Sequence, residues 1–127
     1  MQFLINHFYI FLTILFAVSS QLIIKWKMNE YDLSNYHSLI DKFHFALSML
    51  INPYIIVSIL FTLLSGLSWM IAMTKFDISY AYPYTTIGYI LILIFSSILF
   101  NESIGIYKII GILFIMFGIY LTSKGIK

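Results

Sequence analysis

Charged residues are few along the chain and fall in clusters that separate long apolar stretches. Residues 2–24 carry no Asp, Glu or Lys, and Lys25, Lys27, Glu30 and Asp32 then come together. Residues 45–74 are uncharged and are followed by Lys75 and Asp77. Residues 78–101 are uncharged, then Glu102 and Lys108 bracket a short link. Residues 109–123 are uncharged before Lys124 and Lys127. A membrane-spanning helix takes about 20 mainly apolar residues. The pattern therefore predicts four spans, at residues 8–26, 53–74, 78–100 and 104–123. Backbone groups in lipid must pair within their own segment, and these stretches are too long and too evenly apolar for barrel strands. The expected fold is all-α: a polytopic membrane protein in which residues 1–127 form one four-helix domain. The first stretch differs from a signal peptide, since no Lys or Arg precedes it and it is longer than an h-region.

The links carry a second layer of pattern. Residues 75–77 and 101–103 are short links, which predicts antiparallel neighbouring helices in contact. The first link, residues 27–52, is long. Within it Leu39, Ile40, Phe43, Leu47 and Leu50 recur at helical spacing, with Asp41, Lys42 and His44 on other faces. This spacing predicts an amphipathic interfacial helix. The alternative is that it extends the second span beyond the bilayer.

Composition agrees with the pattern. Hydrophobic residues make up 61% and charged residues 9% of the 127 residues, against roughly 45–50% and about 25% in soluble domains. Mean hydropathy is +0.97. A soluble globular domain and a disordered chain are both excluded. The net charge of +2 comes from seven Lys against five Asp and Glu, which provides no clustered basic face for nucleic acid. There is no Cys, hence no disulfide, thiolate nucleophile or zinc–cysteine site. His7, His37 and His44 have no metal-ligand spacing. No Ser-His-Asp, paired-carboxylate or phosphate-loop motif is present, so neither an enzyme nor a cofactor is expected. Four spans put both termini on one side, with Lys75, Lys124 and Lys127; the other side holds Lys25, Lys27, Lys42 and Lys108. Three against four is no clear excess, and orientation stays open.

Four helices leave little room for a private transport path, and substrate sites in such proteins lie between repeats or subunits. A dimer is therefore expected. Gly111 and Gly118 lie seven apart on one face of the fourth span, with Ile115 between them. Small residues on one stripe let helices approach closely in lipid, although Gly is frequent in membrane helices generally.

Three stretches resemble a known group. Ser20-Gln21-Leu22-Ile23-Ile24-Lys25 closes the first span, Ile78-Ser79-Tyr80-Ala81-Tyr82-Pro83 opens the third, and Asn101-Glu102 precedes Gly111-x6-Gly118-Ile119 in the fourth. Together with the four-span plan they resemble the four-helix members of the drug/metabolite transporter superfamily. Within it they are similar to the small subunits that flip undecaprenyl-phosphate-linked aminoarabinose, and more distantly to small multidrug resistance transporters. Multidrug members carry a membrane-embedded Glu eight residues before the Lys, where proton and drug compete. Here that position is Ala17, and no Asp or Glu lies within the four spans. Proton-coupled antiport in that style then has no titrating carboxylate, whereas the flippase branch also lacks it.

The resemblance implies a lipid-linked sugar as substrate, moved by a homodimer or by a heterodimer with a related four-helix subunit in a bacterial inner membrane. A polyprenyl-phosphate sugar needs a groove open to lipid, a cation for phosphate, and hydroxyls or amides for sugar. Lys25 is the candidate cation; a Lys at a helix end also serves as an interface anchor. Gln21 lies one turn earlier on the same face, with Ser20 beside it. Tyr82, Tyr84 and Thr85 in the third span offer hydroxyls, with an aromatic belt as the plain alternative. Pro83 is expected to kink the helix and to push Tyr82 out of helical geometry. Gly88 is expected to add either flexibility or a close helix contact. Trp69 and Ser65 share a face of the second span and are expected to line the same space, with a lipid-facing Trp69 near the interface as the alternative. Asn101 or Ser103 is expected to cap the fourth helix, with Glu102 favourable at its N-terminus. Two other functions fit: a multidrug-type exporter of cations or small metabolites, and a non-transporting subunit that scaffolds an envelope glycosyltransferase.

Overall fold

The computed structural model describes residues 1–124; Lys127, counted above among the C-terminal cations, lies outside them. The described residues form helices and connecting turns, with no strand among them. Four helices are long and apolar enough to cross a membrane: Gln2–Met28, Pro53–Ala72, Ile78–Phe100 and Ile106–Lys124.

The first, α1 (Gln2–Met28), starts earlier than the apolar pattern suggested and ends with Lys25 and Lys27 in its last turn, where cations favour the negative end of the helix dipole. The long link contains a separate helix, α2 (Leu39–Ser48). Ser38 caps it by accepting a 3.0 Å hydrogen bond from the Ile40 N–H. After a 3-10 turn (Met49–Ile51) the backbone at Asn52 is extended, at φ −66° and ψ 129°. Pro53 disfavours helical geometry in the residue before it. Asn52 uses the break to cap α3 (Pro53–Ala72), accepting from the Tyr54 N–H at 2.9 Å. So α2 is not a continuation of the second span. None of its residues is buried.

The third span is composite: α4 (Ile78–Ala81), a 3-10 segment (Tyr82–Thr86) and α5 (Ile87–Phe100). Tyr82 keeps helical dihedrals, φ −61° and ψ −43°, contrary to the effect expected from Pro83. The chain instead tightens into the 3-10 pattern. The Thr85 and Thr86 hydroxyls donate to the Tyr82 and Pro83 carbonyls, both at 2.6 Å, which supplies those carbonyls with partners inside the apolar body.

Asn101 does not cap the fourth helix. It terminates α5 in the left-handed region, at φ 55° and ψ 32°, a conformation that Asn tolerates better than most residues. Nor does Ser103: α6 (Ile106–Lys124) begins later, with the Gly105 carbonyl accepting from the Lys108 and Ile109 N–H groups.

The core is the seam between α1 and α3. Ile10, Ile14 and Val18 pack with Ala72 and Ala81. Ser58, Ser65, Ser68 and Ala72 are the small buried residues of α3. The Ser65 hydroxyl donates across the seam to the Thr13 carbonyl at 2.8 Å, and Ser20 and Thr62 hydroxyls share a 2.6 Å bond. Small residues let the backbones approach, and each hydroxyl gains a partner that lipid could not give it. On another side of α1, α5 comes close at Gly88, where a Cβ would lie 3.5 Å from the Ile14 and Val18 methyls. By contrast α6 has no buried residue and meets the rest of the chain mainly at the Tyr82–Thr86 segment. The short third link does not lay α6 along α5 as link length alone suggested.

Candidate functional site

Between α1 and α5 runs a groove made of two adjoining cavities. One, of about 370 Å³, is lined by Ala17, Gln21, Thr85 and Gly88 among others. The next, of about 280 Å³, is lined by Gln21, Lys25, Ser96 and Glu102. Gln21 and Ile92 border both. The helix period produces this: Ala17, Gln21 and Lys25 stack at four-residue spacing on α1, and Gly88, Ile92 and Ser96 do so on α5. Ala17 and Gly88 are small, so the helices meet without filling the space beside Gln21.

The polar groups in the groove are available to a ligand. Among the described residues the Gln21 amide makes no hydrogen bond and is exposed to the groove. The Lys25 ammonium lies 3.9 Å from a Glu102 carboxylate oxygen, with both side chains about half exposed. That distance exceeds hydrogen-bond length, so none of the three Lys25 donors is consumed. Such an exposed pair contributes about 0–1 kcal/mol to stability. The neighbouring Lys27 is quite different. It donates to Glu30 at 2.9 Å and sits 4.8 Å over the Tyr54 ring and 5.9 Å from that of Trp26. Lys27 is engaged by these partners, whereas Lys25 is the cation that faces the groove. Glu102, expected at the start of the fourth helix, completes this end of the groove.

The other residues singled out from the sequence lie elsewhere. Ser20 is 2% exposed and bonded to Thr62. One residue turns a helix by about 100°, which sends Ser20 towards α3 and Gln21 towards α5. Trp69 packs on the core and meets Tyr82 edge-on, with ring centroids 6.1 Å apart, and neither borders the two cavities. Ser65 is held in the α1–α3 seam by its bond to Thr13 and does not border the two cavities either. Tyr84 lies 3.2 Å from the Tyr80 hydroxyl, which in turn lies 2.7 Å from His7 Nε2. Thr85 alone of the third-span hydroxyls named above borders the groove. Ser96 and Ile92 were missed; in an evenly apolar helix nothing but the four-residue spacing from Gly88 marks them. Gly111 and Gly118 face open space, with nothing within 4 Å of a Cβ built on either.

Four apolar spans and a groove bearing one amide and one ammonium define a small polytopic membrane protein with a polar path in an apolar body. The chain is 30% identical over 119 residues, 91% of its length and 89% of the relative's, to the probable 4-amino-4-deoxy-L-arabinose-phosphoundecaprenol flippase subunit ArnF of Serratia proteamaculans (strain 568). It is 30% identical over 118 residues to the subunit of the same name from Proteus mirabilis (strain HI4320), covering 87% of this chain and 85% of that one. The Photorhabdus laumondii protein of that name is 33% identical over 64 residues, about half of each chain. The chain belongs to the ArnF flippase-subunit family, a family of membrane transport subunits and not of enzymes. No protein-family model matches the chain, and no solved structure matches it significantly.

Proposed function

We propose that the chain is one subunit of a dimeric flippase that carries an undecaprenyl-phosphate-linked amino sugar across a bacterial inner membrane, and that the α1–α5 groove takes the polar end of that lipid. The observation that carries this is the pairing of an ammonium, Lys25, held only by a 3.9 Å ion pair to Glu102, with the unbonded amide of Gln21 in one groove of an otherwise apolar helix pair. Polar groups in a membrane interior are costly unless they have work to do. In this reading Lys25 holds the phosphate, the Gln21 amide and the Thr85 hydroxyl bond the sugar hydroxyls, and the Glu102 carboxylate faces the sugar's ammonium. The polyprenyl tail stays in the surrounding lipid. Ala17 borders the same groove, so a methyl group stands where proton-coupled multidrug transporters need a carboxylate.

Dimerisation runs through α6, the span without buried residues, by its Gly111 and Gly118 face. The partner is a second copy or a related four-helix subunit. In the first link α2 lies on the membrane surface, with Leu39, Ile40 and Phe43 in the lipid; all three are at least 65% exposed in the isolated chain.

The test is translocation of the lipid-linked amino sugar in vesicles that hold the chain together with its partner subunit. Gln21→Leu combined with Lys25→Ala is expected to slow flipping at least about tenfold, the loss of a charge-assisted phosphate contact and an amide contact. An unchanged rate would remove the groove from the transport path.

A further inference from the structure

At the other end of α1, where the α3–α4 link returns the chain to the membrane surface, lies a separate cavity of about 480 Å³. Its walls include Phe3, His7, Lys75, Phe76, Asp77 and Tyr80. Its size falls in the range of small-molecule sites. The geometry points to a second headgroup site, specific for a phosphorylated sugar that carries an amine. This inference rests on the flippase function proposed above and places a second station for the same cargo at the opposite membrane face.

The walls carry both charges that such a cargo needs. Lys75 supplies an ammonium for phosphate, and Asp77, two residues on, supplies a carboxylate for a protonated amine. The first groove ends in the same combination, Lys25 with Glu102. A cargo with one anionic and one cationic group matches one Lys and one carboxylate at each end of its route. His7 is built in rather than loosely placed. Its Nδ1 lies 2.8 Å from the Phe3 carbonyl and its Nε2 lies 2.7 Å from the Tyr80 hydroxyl. A carbonyl only accepts, so Nδ1 donates to Phe3, and Nε2 is joined to the Tyr80 hydroxyl. Phe3 and Phe76 hold the ring, with centroids 3.9 Å and 4.6 Å away. These aromatic faces, with that of Tyr80, suit the apolar face of a sugar. The site is also joined to the groove. Tyr80 contacts Tyr84 through their hydroxyls at 3.2 Å, and the next residue, Thr85, borders the groove cavity. Polar side chains thus run along the third span from one station towards the other.

The test uses the full chain in bicelles, with the imidazole signals of its three histidines read by NMR and His7 assigned through His7→Gln. Four probes are titrated: a 4-aminopentose 1-phosphate, the same pentose 1-phosphate with a hydroxyl in place of the amine, glycerophosphoethanolamine and inorganic phosphate. The aminopentose phosphate is expected to shift the His7 signals to saturation, at least about fivefold more tightly than any other probe. Asp77→Asn is expected to abolish that preference while leaving the hydroxyl sugar's affinity unchanged, and Lys75→Ala to weaken both sugar phosphates. Asp77 and Lys75 are exposed link residues, so these variants keep the fold. Equal binding of glycerophosphoethanolamine would overturn the assignment in favour of an ordinary zwitterionic lipid. A His7 signal unmoved by every probe, or a preference that survives Asp77→Asn, would also overturn it. Flipping that does not depend on Gln21 and Lys25 would leave this titration intact, so failure of the transport reading and failure of this site are distinguishable.

Discussion

The α1–α3 seam and the surface of α6 are made of similar material and end in opposite states. On α3 the small residues Ser58, Ser65, Ser68 and Ala72 are all buried. On α6 Gly111 and Gly118 repeat the seven-residue spacing, and nothing lies within 4 Å of a Cβ built on either. The difference lies in what each stripe offers. Hydroxyls must find partners in lipid, and Ser65 and Thr62 find them in Thr13 and Ser20. Glycines need no polar partner and only permit close approach, so a glycine stripe can stay uncovered at little cost until another helix arrives. The chain thus buries a serine stripe within its own fold, and the proposed dimer would use the glycine stripe that it leaves uncovered.

Three variants separate the two stripes experimentally. The largest effect belongs to Ser58, fully buried with its hydroxyl on the Ile55 carbonyl at 2.8 Å. Ser58→Leu overfills the seam and is expected to destabilise the chain by about 2–3 kcal/mol, measured by steric trapping in bicelles. A stable Ser58→Leu protein would mean that the seam is looser than the distances imply. Next comes the double change Gly111→Ile with Gly118→Ile. It is expected to raise the dimer dissociation constant about tenfold or more, read by energy transfer between labelled chains, while monomer stability stays the same. Since the chain has no Cys, a single introduced thiol carries the label. Loss of monomer stability would show that α6 packs within the chain after all. The smallest effect is expected for Ser65→Ala, which removes one hydrogen bond across the seam, worth about 0.6 kcal/mol in membrane proteins.

The four spans were legible because charge is almost absent within them, and the C-terminal end of each falls near a charged position. The family was legible too, from Gln21, Lys25, Pro83 and the glycine pair. The site was only partly so. Gln21, Lys25 and Thr85 share the groove, but Ser20 turns to Thr62, because adjacent residues on a helix face different neighbours. The serine stripe of α3 was present at readable spacing, yet serines inside an apolar helix do not announce which helix they will meet. Asn101 was read as a helix start and is a helix stop; both uses draw on the same short polar side chain, and only the backbone angle separates them. His7 had no local signal at all, since its partner Tyr80 lies 73 residues away.

The proposed route takes the lipid-linked sugar along the α1–α5 groove and not along the glycine face of α6. It is tested most directly by site-specific photocrosslinking of the radiolabelled lipid in membranes, with the photoreactive residue at Ile92, which borders both groove cavities, or at Leu113 on α6. Labelling at position 92 that is lost with Lys25→Ala, together with background labelling at position 113, is the predicted result. Labelling at 113 that equals or exceeds that at 92, or labelling at 92 that persists without Lys25, would contradict the account.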